Sequence, residues 1–205
     1  MTSLPLPQQP RQQNACIVMV DLVRSTDLAS HLSLRDYTTL MSEFVQVMML
    51  GMERHGGQVL QHQGDAVLAY WEPQDAAQAV DAALGAQERT RQLSNAQRLG
   101  LRLDVRSAVA EGEIILGWVG TQLTAYGLPV NLACRLCKVA EPGETLVCQR
   151  VYEQCAPEPR PLTLPPLGRP GSSPEAVNLR LSAADTAARY CERRIPRWQG
   201  LATAT

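Results

Sequence analysis

The chain has 205 residues, enough for one domain with short flanking segments and too few for a second domain of ordinary size. Its net charge of −1 and pI near 6.3 argue against nucleic acid or an anionic membrane as the main partner. No apolar run approaches the roughly 18 residues of a membrane span, and the proline- and glutamine-rich start differs from a secretory signal. The six cysteines mostly lie in apolar stretches, as reduced thiols do, so we expect a cytoplasmic protein.

Apolar patterning in the first half of the chain predicts a flexible leader, a buried strand, a helix and a hairpin. The leader is residues 1–14, and the strand is a continuous apolar run that ends at Asp21. A tight connection between the next two strands is typical of a hairpin. The predicted strand, helix and two hairpin strands are residues 15–20, 34–52, 58–61 and 66–71.

The second half is predicted to alternate in the same way. It contains a helix (74–97) and two strands (101–109 and 113–119) joined at Glu111-Gly112. A loop (120–129), a short helix (130–139), a strand (145–147) and another short helix (149–154) follow. Seven prolines make residues 157–174 irregular, residues 177–181 are an edge-strand candidate, and residues 183–205 are expected to be a C-terminal helix and tail. The domain therefore spans residues 15–182. Its β-α-β-β-α-β order, with additional strands and helices, predicts an α+β fold of the ferredoxin-like (palm) group with an antiparallel-rich sheet.

Two carboxylates stand at adjacent positions of this predicted sheet. Asp21 ends the buried first strand, and Asp65 lies at the tip of the hairpin expected beside it. Neighbouring strand ends would bring both within reach of shared divalent cations, since magnesium takes one or two carboxylates together with substrate phosphates. Taken singly, each also fits a structural role, Asp21 as a strand-end cap and Asp65 as a turn former.

Four segments resemble, in order, the motifs of class III adenylate and guanylate cyclases. The first is a strand, an Asp and a turn with Ser and Thr; the second is a Gly-Asp hairpin; the third is a strand pair with Gly-Glu; the fourth is built on Val-Asn-x-Ala-x-Arg-Leu. They read VMVDLVRSTDLA (18–29), GGQVLQHQGDAVLAYW (56–71), VRSAVAEGEIILGWVG (105–120) and YGLPVNLACRLCKVAEPGETLVCQRVYE (126–153).

The resemblance implies a lyase that converts a nucleoside triphosphate to a 3′,5′-cyclic nucleotide and pyrophosphate. By position, Asp21 and Asp65 would bind two divalent cations, Mg²⁺ or Mn²⁺. Asn131 would hold the ribose, and Arg135 would meet the charge that develops on the α-phosphate. These two residues are four apart and therefore share one helix face. The family's site is shared across a head-to-tail dimer, so the resemblance also implies a homodimer with two equal sites.

Phosphate contacts are expected at two further places. Backbone amides of Val23, Arg24, Ser25 and Thr26, at the start of the first helix, would cradle the terminal phosphates. Arg24 stands where the family often has Gly. Arg169 is the nearest candidate for a contact with the leaving pyrophosphate, and an ordinary loop role among prolines is equally open.

The base would be read at two positions. The family's adenylate cyclases usually carry Lys where this chain has Gln61, and Asp, Thr or Ser where it has Thr124. Thr124 fits adenine, whereas the Gln61 amide can turn to suit adenine, guanine or uracil. ATP is the first choice of substrate. The alternatives are a cyclase for GTP or a pyrimidine triphosphate, and a catalytically silent nucleotide-binding dimer.

Overall fold

The computed structural model describes residues 9–155, 177–182 and 191–194. Within these residues, eight strands form one sheet in the order β2-β3-β1-β4-β6-β7-β8, with β5 paired to β4. The strands are β1 (Arg11–Leu22), β2 (Gln58–Gln63), β3 (Ala66–Trp71), β4 (Val105–Val119), β5 (Gln122–Tyr126), β6 (Glu144–Val147), β7 (Val177–Ser182) and β8 (Cys191–Arg194). Only the β4–β6 pair is parallel among the described strands. The predicted α+β fold with an antiparallel-rich sheet is confirmed.

In the described part of the chain, six α-helices flank the sheet: α1 (Ser25–His31), α2 (Leu34–Arg54), α3 (Ala76–Arg91), α4 (Ser94–Arg98), α5 (Leu128–Val139) and α6 (Gln149–Cys155). The Ser107 hydroxyl donates to the Ala83 carbonyl of α3 at 3.4 Å, whereas the neighbouring Arg106 donates to the Lys138 carbonyl of α5 at 3.2 Å. Adjacent residues of a strand point to opposite faces, so α3 and α5 cover opposite faces of the sheet. No helix in the described part of the chain combines the length and the hydropathy needed to cross a bilayer.

The first strand is longer than predicted. Residues 15–18 are fully buried, as the apolar run indicated, but β1 begins at Arg11, inside the segment predicted to be leader. The reason is its partner: β4 continues past the expected turn and offers backbone groups as far as Leu116, opposite Arg11. The prediction of a flexible leader over residues 1–14 is therefore wrong for residues 11–14.

The predicted turn at Glu111-Gly112 is also wrong, because β4 runs unbroken through it. Gly112 pairs with Ala15 inside the ladder, and the chain reverses instead at Gly120, whose φ of +63° suits a residue without a side chain. Residues after this reversal, predicted to be a loop, form β5 on the edge of β4. The glycine at 112 is needed for close packing, since a Cβ there would lie 2.9 Å from Pro129 Cγ.

Two further predictions need correction. The helix expected over residues 74–97 breaks into α3 and α4, because Glu43 of α2 accepts the Ser94 and Asn95 amides at 2.8 and 2.9 Å and holds a new helix start there. In the C-terminal segment predicted to be helix and tail, Cys191–Arg194 form strand β8, which pairs with β7 and satisfies its open edge. The proline-rich stretch 157–174 lies outside the described residues.

Candidate functional site

A cleft of about 290 Å³ opens where β1 ends, beside the β2–β3 hairpin. Its walls come from β1, the turn into α1, the hairpin, β4 and α5. The polar and charged side chains that line it are Asp21, Arg24, Ser25, Thr26, Asp65, Arg106, Cys134, Cys137 and Lys138. Residues distant in sequence are thus collected around one opening.

Backbone pairing brings the two predicted carboxylates to this cleft. Asp21 lies opposite Ala66 in the β1–β3 ladder, and the Leu22 amide donates to the Asp65 carbonyl at 3.0 Å. The hairpin turn depends on Gly64, whose φ is +62°. The Ser25 hydroxyl donates to Asp65 Oδ2, which orients that carboxylate from the side of α1.

Asp21 is paired with Arg106, an arginine that no sequence pattern predicted as a site residue. Arg106 lies directly across the β1–β4 ladder, and its Nε and Nη2 are 2.7 and 2.6 Å from Asp21 Oδ2. Burial raises the pKa of the Asp21 carboxyl above its ordinary value, and the nearby charge of Asp65 adds to that increase. The hydrogen bond and charge of Arg106 oppose the increase in pKa, so Arg106 favours the ionised form of Asp21.

The turn between β1 and α1 supports only part of the predicted phosphate cradle. The Val23 amide donates to the Asp104 carbonyl at 2.9 Å, so it is committed to the fold, and the prediction for Val23 is wrong. Ser25 and Thr26 lie in the first turn of α1, where amides have no partner within the helix. Arg24 adopts φ 57° and ψ 35°, a left-handed conformation that costs a non-glycine residue about 1 kcal/mol or more.

The two predicted base-reading residues lie on neighbouring strands. Gln61 is exposed on β2, just after a register shift between Val59 and Gln61, and Thr124 is half-buried on β5. β2 contacts β5, and Gln122 Nε2 donates to the Leu60 carbonyl at 3.3 Å. The segments that carry Gln61 and Thr124 are therefore held side by side.

Asn131 and Arg135 do not line the cleft that contains Asp21 and Asp65. Both are exposed on α5, whereas Cys134, Cys137 and Lys138 of the same helix face the cleft. The structure thus separates the predicted residues into a carboxylate group and an α5 group. Arg169 lies outside the described residues, and its predicted role stays a prediction.

Residues 7–160 match the family described as the adenylate and guanylate cyclase catalytic domain. The chain belongs to this family of class III cyclases. The match covers the cleft, the hairpin, β5 and α5, so every predicted site residue except Arg169 lies within it.

Two curated relatives of this cyclase domain carry the description uncharacterized protein. An uncharacterized protein of Mycobacterium tuberculosis, Rv1319c, is 33% identical over 137 residues, and another, Rv1318c, is 29% identical over 162 residues. The alignments cover 63% and 73% of this chain. They cover only 25% and 28% of the two relatives, so the chain spans about a quarter of the length of the curated proteins it matches.

Solved structures similar to this domain include cyclases for both purines. The guanylyl cyclase Cya2 and the adenylyl cyclase CyaB of P. aeruginosa each give a TM-score of 0.67 at 22% identity. Each match covers 71% of this chain, with 80% of the Cya2 chain and 82% of the CyaB chain. At this identity the likeness establishes the fold and leaves the preferred base open.

The donor set of the cleft fits a cation that shares its coordination with substrate. Within residues 9–155 and the two described strands beyond, no cluster of three or more His, Cys, Asp or Glu side chains is arranged to hold a metal. Among the described residues, Asp21 and Asp65 alone supply carboxylates to the cleft. Magnesium commonly binds one or two carboxylates and completes its shell with waters and phosphate oxygens, so this pair suits it.

Replacing Arg106 should raise the pKa of Asp21 further. In Arg106→Gln, burial remains while the opposing charge is lost, so Asp21 should titrate at higher pH than in the unsubstituted domain, as measured by carboxyl ¹³C NMR without metal. Because the folded state binds this proton more tightly than the unfolded chain, the contribution of Asp21 to stability falls as pH rises from the ordinary aspartate pKa through the raised one. In Arg106→Gln, the pH range over which this contribution to stability is lost should extend to higher pH.

A matched control is Arg102→Gln, which removes an exposed cation outside the cleft and should leave the titration of Asp21 unchanged. An unchanged pKa of Asp21 in Arg106→Gln would show that the ion pair does not govern its protonation.

Proposed function

We propose that this domain converts a nucleoside triphosphate, with ATP preferred, to the 3′,5′-cyclic nucleotide and pyrophosphate. One observation carries this proposal: Asp21 of β1 and Asp65 of the β2–β3 turn line one cleft together with Arg24, Arg106 and the first turn of α1. Paired carboxylates suit divalent cations, and the surrounding cations and open amides suit phosphate groups. A cleft that holds both suits phosphoryl chemistry, in which catalysis is mostly positioning and charge stabilisation.

Asp21 and Asp65 would hold two divalent cations, Mg²⁺ or Mn²⁺. When bound, these ions lower the pKa of the ribose 3′-hydroxyl and neutralise charge on the α-phosphate. Asp21 can serve because Arg106 favours its ionised form despite burial. Asp65 can serve because the Ser25 hydroxyl and the hairpin turn fix its direction.

The triphosphate would lie against the turn that leads into α1. Amides of Ser25 and Thr26 are free of helical partners there, and the Arg24 side chain lines the same wall. The left-handed conformation of Arg24 is tolerated at a position where this family often has glycine. Its guanidinium then adds a cation next to the phosphates that glycine would not supply.

Asn131 and Arg135 would complete the site from a second copy of the chain. They lie outside the cleft of their own chain and are exposed on α5. The adjoining surface is also apolar, since Tyr126 is 60% and Leu128 83% exposed, which favours burial against a partner. Asn131 would orient the ribose, and Arg135 would stabilise charge on the α-phosphate in the transition state.

The direct test is identification of the product. The purified domain with Mn²⁺ should convert ATP to 3′,5′-cyclic AMP and pyrophosphate, as resolved by chromatography against the other three triphosphates. Asp21→Asn and Asp65→Asn should each lower turnover by at least about 10², with the far-ultraviolet circular dichroism unchanged. Binding of triphosphate without any cyclic product would instead favour a silent nucleotide-binding dimer, and turnover near normal in either Asp variant would contradict the assigned metal ligands.

Mixing two inactive variants tests the shared site. Asp21→Asn keeps the α5 residues, and Arg135→Ala keeps the carboxylates, so a heterodimer should contain one intact site. We expect activity to return on mixing. Each heterodimer should approach the turnover of one intact site. Mixing Asp21→Asn with Asp65→Asn is the control, because both changes damage the same half and no intact site can form. If verified subunit exchange restored nothing in the first mixture, the site would lie within one chain.

Base preference should depend on Gln61. A neutral amide bond to the base is worth about 1 kcal/mol, so ATP should be preferred over GTP by about tenfold or less. Gln61→Lys should increase that ratio, because a charged donor to adenine is stronger. His62→Lys adds the same charge on the other face of the strand and should leave the ratio unchanged. An unaltered ATP to GTP ratio of kcat/KM in Gln61→Lys would remove Gln61 from base recognition.

A further inference from the structure

Lys138 is the only lysine among the 19 lysine and arginine residues of the chain, and its side chain lines the cleft. It lies in the last turn of α5, on the wall that faces Asp21 and Arg106. It lies within the fourth segment that resembles the cyclase motifs, at a position to which the resemblance assigns no role. Every other permanent side-chain cation of the chain is an arginine, so the one lysine side chain is found at the cleft.

The cations of the cleft differ in how freely they can reach a ligand. Arg106 is held on both sides, by Asp21 at 2.6 Å and by the Lys138 carbonyl at 3.2 Å. Lys138 has no carboxylate within 4 Å of its ammonium among the described residues. It is exposed, so its flexible stem can move the ammonium across the opening.

The chemistry of the two side chains suits this division. An arginine at position 138 would present a planar fork that matches a carboxylate and could bind Asp21 or Asp65 in place of a cation. A lysine is a hydrated point charge that binds phosphate without a fixed geometry. It can therefore follow a phosphate group as the group moves, while Arg106 stays with Asp21.

We propose that Lys138 binds the terminal phosphates of the nucleoside triphosphate, and so belongs to the half of the site that carries Asp21 and Asp65. This assignment rests on the proposed nucleotide site. It supplies, from α5 of the same chain, the contact with the leaving pyrophosphate for which the sequence offered only Arg169. With Arg24, it gives the phosphates two cations that form no ion pair with a carboxylate among the described residues.

Kinetics of substituted domains provide the first arm of the test. A hydrogen bond to a charged group is worth about 1.5–3 kcal/mol, so Lys138→Gln should raise KM for the triphosphate by about tenfold or more. Lys138→Arg keeps the charge but can pair with Asp21 or Asp65, so it should recover only part of that loss. Arg91→Gln removes an exposed cation from the last turn of α3, distant from the cleft, and should leave KM unchanged. Equal KM values in Lys138→Gln and Arg91→Gln would overturn the assignment.

Selective labelling gives a readout that does not depend on turnover. Pyridoxal 5′-phosphate condenses with amines to an imine and water, and borohydride fixes the product, so the only side-chain amine to react is Lys138. Peptide mass spectrometry should show that ATP with Mg²⁺, and inorganic tripolyphosphate, slow labelling of Lys138 but not of the terminal amine. Adenosine should protect neither. Labelling of Lys138 at the same rate with and without these phosphates would overturn the proposal.

The two arms separate this inference from the proposed function. Protection of Lys138 by tripolyphosphate in a domain that forms no cyclic nucleotide would support the phosphate contact and refute the cyclase proposal. Formation of cyclic nucleotide with no protection and an unchanged KM in Lys138→Gln would refute the phosphate contact alone.

Discussion

The antiparallel pairing of β1 with β4 is the constraint on which the rest of the structure depends. The ladder runs from Arg11 opposite Leu116 to Leu22 opposite Val105, and it buries the apolar centre of both strands. It also sets Asp21 against Arg106 at the mouth of the cleft. A shift of one residue would turn Asp21 toward the opposite face of the sheet and expose part of the core, so the packing of the core fixes the chemistry of the site.

Features of the cleft that suit its proposed function are unfavourable for the stability of the fold. Burial and the charge of Asp65 both disfavour ionised Asp21, whereas Arg106 and, more weakly, the charge of Lys138 favour it. A divalent cation between the carboxylates would relieve this repulsion, which is why such a site is suited to bind one. Arg24 adds a second strained feature, since its backbone conformation is one that favours glycine. Local departures of this kind concentrate at functional sites, where they are maintained by the surrounding fold.

Sequence patterns predicted the elements that are buried or strongly periodic. The apolar run of residues 15–20, the helix that begins at Leu34 and the Gly-Asp hairpin all gave clear local signals, and the structure contains them. The length of β4 was missed because Glu111-Gly112 has the composition of a turn, and only its pairing with Ala15 keeps it extended.

Only some of the site residues were predicted, because local patterns do not report tertiary contacts. Asp21 and Asp65 could be found because one directly follows a recognisable apolar run and the other lies in a recognisable hairpin turn. Arg106 and Lys138 could not be predicted from local patterns. The register of the β1–β4 ladder places Arg106 at the cleft, and the packing of α5 against β1 and β4 places Lys138 there. The commitment of the Val23 amide to Asp104 is likewise a tertiary contact that no local pattern reports.

Cation binding to the two carboxylates is the claim on which the proposed chemistry rests most directly. Electron paramagnetic resonance of Mn²⁺, with 3′-deoxyadenosine triphosphate as a substrate that lacks the attacking hydroxyl, counts bound ions without turnover. The unsubstituted domain should bind two Mn²⁺ ions per bound nucleotide, and Asp21→Asn and Asp65→Asn should each bind fewer at the same free Mn²⁺ concentration. Equal Mn²⁺ binding by the unsubstituted domain and both variants would contradict the assignment of Asp21 and Asp65 as the metal ligands of this cyclase domain.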